Sequence, residues 1–102
     1  MKGYRFYLEF DSTADKRKGV ARGKCMAVLL GKDGKPLRQS DPKMVECIAG
    51  VYDQHDSVCG GTSASRDYLR KNCKRVSENK AREIHPSLLK YLEMDPRNKR
   101  SS

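Results

Sequence analysis

The chain has no tryptophan, only two phenylalanines and only two histidines among its 102 residues. Its four cysteines, Cys25, Cys47, Cys59 and Cys73, lie far apart and form no Cys-x-x-Cys pair. Zinc-finger and thioredoxin-like spacings are therefore excluded, and a zinc site would need scattered thiols and two histidines to meet through folding alone. The opening MKGYRFYLEF has short apolar runs and no secretory core. No stretch approaches the roughly 18–20 apolar residues of a membrane-spanning helix. The even cysteine count leaves disulfides open, but the rest reads as a cytosolic protein whose thiols are reduced, small, buried apolar residues. Apolar residues make up 36%, and a chain this short buries a modest core.

What the chain has in excess is positive charge. Twenty-two Lys and Arg against thirteen Asp and Glu give +9. Three of those cations sit in the closing RNKRSS. Such a balance favours polyanionic or phosphorylated partners, or simply keeps the surface soluble.

Length implies one domain. We read residues 1–93 as that domain and 94–102 as a basic, mobile tail without periodicity. Tyr4, Phe6 and Leu8 alternate with Arg5, Tyr7 and Glu9, the period of a strand. Asp11 to Lys24 is polar and glycine-punctuated, a flexible connection. Cys25 to Leu30 is an apolar run ended by Gly31 and the KDGK turn, a second strand antiparallel to the first. Asp41-Pro42 has the chemistry of a helix start. Met44, Cys47, Ile48, Val51 and Tyr52 then fall on one helical face, although a strand from Glu46 to Tyr52 competes. Ser57 to Thr62 reads as a short third strand whose glycines mark a bulge or a close backbone approach. Ser65, or Ser63, caps a basic helix with Asp67 in its first turn and Leu69, Cys73 and Val76 as its apolar stripe. The pattern breaks near Ser77, Ala81 and Ile84 resume it, and Pro86 opens a last helix burying Leu88, Leu89 and Leu92. The order is β-β-α-β-α-α. It implies an α+β domain with a small, mostly antiparallel sheet and helices packed on one face. Its unprotected edges favour an oligomer, such as a dimer with a continuous sheet.

Between Arg66 and Arg82 there are seven basic residues and two acidic ones. The turn Gly60-Gly61-Thr62-Ser63-Ala64-Ser65-Arg66 feeding that helix is the leading site candidate. Its glycines permit close approach, Thr62, Ser63 and Ser65 offer hydroxyls, and Arg66 stands at the positive helix end. The alternative is an ordinary capped turn. Arg75 and Arg82 carry planar forks suited to phosphate, yet Arg82 is also spaced to brace Glu78 at i,i+4. Asn72 borders the apolar stripe, as a base-reading amide or a plain boundary residue. The loop bearing Arg22 and Lys24 is a candidate lid over an anion, or a solubilising loop. His85 fits a helix cap better than a general base. No Walker A loop, catalytic triad order, carboxylate dyad or metal motif is present. The chain therefore reads as a non-enzymatic binder with no cofactor and no metal.

The pattern D-Y-L-R-x-x-C-K-R-V-S-E-x-x-A-R-E-I-H-P-x-L-x-x-Y-L-E over 67–93, with the opening Y-R-F-Y-L-E-F over 4–10, resembles the phage anti-Thoeris signal-sequestering sponge proteins. The resemblance covers about a third of the chain. It implies an oligomeric α+β binder, in the cytoplasm of a bacterial host, that sequesters cyclic ADP-ribose-type signals made by TIR enzymes. Some members also take up cyclic oligonucleotides. It further implies that Arg22, Asn72 and Arg82 contact ligand and that an aromatic residue stacks on adenine. Tyr52 is the nearest such aromatic, on the face that the helical reading buries. Composition alone allows two other readings: a small DNA- or RNA-binding protein, without any helix-turn-helix, zinc-finger or RNA-recognition signature, or an inhibitor acting by protein contact.

Overall fold

A computed structural model describes residues 3–50 and 58–94. Its described elements are five strands and four helices, and the sheet is antiparallel throughout, in the order β4-β3-β2-β1-β5. The molecule is of the mixed α+β class, as the sequence implies.

Strand β1 (Tyr4–Glu9) buries alternate residues, and β2 (Cys25–Leu29) is buried along its whole length. They pair antiparallel with Phe6 opposite Ala27. The connection between them contains a short helix, α1 (Thr13–Lys18), where the sequence reading has only a flexible loop. Ser12 caps it by accepting from the Asp15 N–H at 3.1 Å, and Gly19 ends it in the left-handed region at φ 72°. This helix, TADKRK, has Ala14 as its one apolar residue and buries the charged Asp15 instead, so no apolar periodicity announces it.

The expected helix after Asp41-Pro42 is instead strand β3 (Met44–Gly50), the competing reading. Asp41 does shape a turn, with its carboxylate accepting from the Lys43 N–H at 2.9 Å. That turn then feeds extended chain. Ile48 packs into one core cluster while Val45, Cys47 and Ala49 pack into another. A strand buried on both faces loses the simple alternation that would have distinguished it from a helix. Val51 and Tyr52 lie outside the described residues.

Strand β4 (Val58–Ser65) runs to Ser65, so the expected Gly/Ser/Thr turn is mostly strand. Its register slips: Cys59 opposes Ala49 and Thr62 opposes Cys47, which leaves Gly60 and Gly61 facing Ile48 alone. That is a bulge at the glycines, as anticipated. Ser65 caps α2 (Arg66–Asn72) through the Tyr68 N–H at 3.0 Å.

The chain then extends into β5 (Cys73–Val76), which the sequence reading assigns to the helix. Pairing with β1, Cys73 opposite Glu9, covers an otherwise open edge and outweighs helix propensity. Helices α3 (Glu78–Ile84), capped by Ser77, and α4 (Pro86–Met94) close the structure. Residues 95–102, with the expected tail, lie outside the described residues.

The helices occupy both faces, not one. Leu88, Leu89 and Leu92 of α4 and Ala81 of α3 pack on Tyr4, Phe6, Leu8, Cys25, Ala27 and Leu29. Each buried leucine contributes roughly 1.5–3 kcal/mol. Leu69 of α2 packs on the other face with Met26, Val28, Cys47 and Cys73. Helix α2 joins the two edge strands with no intervening loop. Its seven residues rise about 10 Å, whereas the edges of a flat five-stranded sheet stand roughly 19 Å apart. The sheet must therefore curl around α2.

Candidate functional site

On the α3 side of the sheet, near its β5 edge, the structure opens a cavity of about 590 Å3. Leu8, Val20, Ala21, Val76 and Ile84 give it an aliphatic lining. Strand alternation places Lys74 and Val76 on the same face as their neighbour Leu8 in β1. The chain after α1 supplies a wall, Gly19 to Arg22, and α3 supplies Lys80 and Ile84.

Of the eleven described residues lining the cavity, four are cations, Arg22, Lys74, Arg75 and Lys80, and none is acidic, thiol-bearing or a histidine. Among the described residues, two carboxylates reach these cations from outside the lining. Buried Asp15 holds Arg22, whose Nη2 lies 3.0 Å from both carboxylate oxygens. Glu83 approaches Lys80 at 3.9 Å, a loose contact within α3. Lys74 donates from Nζ to the Gly19 carbonyl at 3.0 Å, pinning the wall to β5. The backbone carbonyl of Asp15 takes the N–H of Val20 at 2.9 Å. Asp15 thus fixes both the backbone that carries the wall and the guanidinium at its end. Val20 remains 42% exposed although it is apolar, which leaves a greasy patch at the mouth.

Among the residues predicted from sequence, Arg22 and Arg75 meet at this cavity. Arg75 borders it along the edge of β5, because alternation sends its Cβ to the opposite face with Tyr7. Lys24 is not in the lining. It sits where its carbonyl accepts from the Glu9 N–H at 2.9 Å. Thr62, Ser63 and Ser65 belong to β4, three strands from β1 in the sheet order, and Arg66 opens α2; none of them lines the cavity. Several of their polar groups are used within the chain: the Ser63 hydroxyl with Gln39 at 2.7 Å, the Ser65 hydroxyl as a cap, and the Arg66 backbone N–H with the Lys43 carbonyl at 2.9 Å. Asn72 ends α2, exposed, and its carbonyl takes the Phe10 N–H at 3.0 Å. Arg82 is outside the cavity lining, pairing with Glu78 at 3.0 Å and Glu93 at 3.5 Å, which is the bracing arrangement. Tyr52 lies outside the described residues. The predicted phosphate seat is therefore not gathered around Thr62–Arg66. The cations that do converge, Lys74 and Lys80 with Arg22 and Arg75, are made neighbours by β5. Reading C-K-R-V as a strand would have placed Lys74 beside Val76 on one face.

The described thiols lie apart from the cavity. Burial pushes Cys25 and Cys73 up to about 12 and raises Cys47, so all three are protonated at neutral pH. On the α2 face Tyr68 donates its hydroxyl to Glu9, and partial burial together with that carboxylate raises the phenol's pKa. His85 is fully buried and uses Nδ1 to accept the Leu88 N–H at 3.2 Å, capping α4 as anticipated. Among the described residues no cluster is arranged to hold a metal ion, and no helix is long and apolar enough to cross a membrane. No protein-family model, curated protein or solved structure matches the chain.

Proposed function

We propose that this protein binds a compact phosphate-bearing nucleotide in the β5–α3 cavity, without transforming it. The observation that carries this reading is the pairing of four cations with an aliphatic floor and no acidic lining residue. Phosphate is met by the guanidinium and ammonium groups, and the apolar part of the ligand by Leu8, Val20, Val76 and Ile84. A volume near 590 Å3 suits a small molecule, for which pockets run from about 300 to 1,000 Å3. Among the described residues the lining offers no carboxylate, imidazole or thiol for acid–base or nucleophilic work, so the proposal is of binding and not of a reaction.

The segments 4–10 and 67–93 that carry the resemblance to phage signal-sequestering proteins supply seven of the eleven lining residues. In this reading the ligand is a cyclic ADP-ribose-type or cyclic nucleotide signal, held in the cytoplasm of an infected bacterium. The protein acts as a homo-oligomer and suppresses host immunity by lowering the free signal.

The test is a titration with a panel of cyclic nucleotides, a DNA duplex and a single strand, each at low and moderate salt. A compact ligand in the cavity should bind in a manner only weakly dependent on salt. Polyanion binding falls steeply as salt rises. Steeply salt-dependent binding of duplex or single strand, with no cyclic nucleotide bound, would overturn the proposal in favour of a nucleic-acid surface.

A further inference from the structure

The two edges of the sheet differ in a way that selects one of them for self-association. Edge strand β5 has four residues, and two of them are the cations Lys74 and Arg75. Edge strand β4 has eight residues, VCGGTSAS, with no charge and no proline. Short length, central lysine or arginine and bulges are among the devices by which edge strands avoid pairing with another chain; β4 has neither of the first two, and its bulge at Gly60–Gly61 precedes the regular stretch Thr62–Ser65 that is left to pair. Gly61, Thr62 and Ser63 are exposed. Glycine and small hydroxyl side chains let a second backbone approach closely and allow Thr/Ser cross-strand pairs.

Charge points the same way. A protein with a net charge of +9 repels its own copies over most of its surface. An uncharged strand is where two copies meet at the smallest electrostatic cost. We infer that β4 pairs antiparallel with β4 of a second copy of this chain across a two-fold axis, giving a continuous ten-stranded sheet. Such an isologous contact is closed and stops at the dimer. The inference rests on the oligomeric part of the proposed function and is independent of its ligand. The described lining of the cavity comes from β1, the chain after α1, β5, Ser77 and α3 and includes no residue of β4, so the junction uses none of those residues.

Sedimentation of the full chain at about 50–100 μM, with hydrogen exchange on the same samples, tests this. The wild type is expected at twice the 11.6 kDa protomer mass. Concentration-dependent protection is expected for those amides of Gly61–Ala64 that point away from β3. Thr62→Lys, which places a charge in the middle of the edge, is expected to give a folded protomer by circular dichroism. Arg75→Glu on the opposite edge is expected to leave the dimer intact. A wild type that stays at protomer mass would overturn self-association itself. A dimer that survives Thr62→Lys, or whose β4 amides show no added protection, would overturn the edge assignment. Neither result bears on nucleotide binding, which is read separately by titration. If Thr62→Lys fails to fold, the wild-type exchange pattern alone decides.

Discussion

Asp15 grips Arg22 from behind the cavity wall, with both carboxylate oxygens 3.0 Å from one guanidinium nitrogen. The carboxylate is nearly buried while the guanidinium is 63% exposed, so the acid is the fixed partner and the arginine the presented one. Removing Arg22 leaves a buried carboxylate without its cation. Arg22→Ala should lower stability by about 1–2 kcal/mol, reduced from a fully buried pair by solvent screening. Asp15→Ala should cost at least as much, because Asp15 also stands in the first turn of α1. Urea unfolding of both variants checks this. Equal midpoints for wild type and Arg22→Ala would show the pair to be structurally idle.

Two glycines test the backbone packing independently of charge. A Cβ on Gly23 would stand 2.9 Å from the Glu9 carbonyl and 2.8 Å from an Asp11 carboxylate oxygen. The first is sheet backbone and has no room to give. Gly23→Ala should therefore destabilise by about 1–3 kcal/mol. Gly34 has open space but φ of +78°, so Gly34→Ala should cost only about 1 kcal/mol of backbone strain. A thermal melt of the pair should rank Gly23→Ala as the less stable.

The buried thiols predict an alkaline limit to stability. Cys25 and Cys73 move from an ordinary value of 9.0 to about 12 in the folded chain, through burial first. A raised folded pKa means that the stabilisation is complete below pH 9 and is lost as pH rises towards 12. In that window each thiol that ionises on unfolding subtracts up to about 1.4 kcal/mol per pH unit. Denaturant midpoints measured from pH 8 to 11 should fall, and Cys25→Ala should flatten the fall. A midpoint independent of pH across that range would contradict the burial of these thiols.

How much of this was legible can be seen from individual elements. Tyr4–Glu9 and Pro86–Met94 show clean periods of two and three to four, and both emerge as read. Met44–Gly50 misleads because Cys47 and Ile48 are both buried, on opposite faces, and the spacing of Met44, Cys47 and Ile48 fits a helix equally well. Cys73–Val76 misleads for a different reason. Leu69, Cys73 and Val76 continue a helical stripe, and only the vacancy beside β1, a long-range feature, converts the segment to strand. The site follows from that second misreading. Arg22 and Arg75 are found from composition, but Lys74 and Lys80 become their neighbours only once β5 exists. Arg82 is attractive by residue type, yet Glu78 and Glu93 engage it at the α3–α4 junction.

Arg82 accordingly separates sequence from geometry. Arg82→Ala should change nucleotide affinity by less than about twofold while costing roughly 0.3–1 kcal/mol of stability through its exposed ion pairs. Parallel titration and denaturation of this variant read the two effects separately. A large loss of affinity with stability unchanged would move the ligand towards α4.

The central claim is most directly tested by calorimetric titration of a cyclic ADP-ribose-type nucleotide into wild type, Lys74→Ala, Arg22→Ala and Arg100→Ala at moderate salt. Charge-assisted contacts to phosphate are worth roughly 1.5–3 kcal/mol each. Lys74→Ala and Arg22→Ala should each weaken binding by about 10- to 100-fold, while Arg100→Ala, far along the chain from the cavity residues, binds like wild type. Equal affinity across all four proteins, or no binding by any of them, would contradict the assignment of the β5–α3 cavity as a nucleotide site.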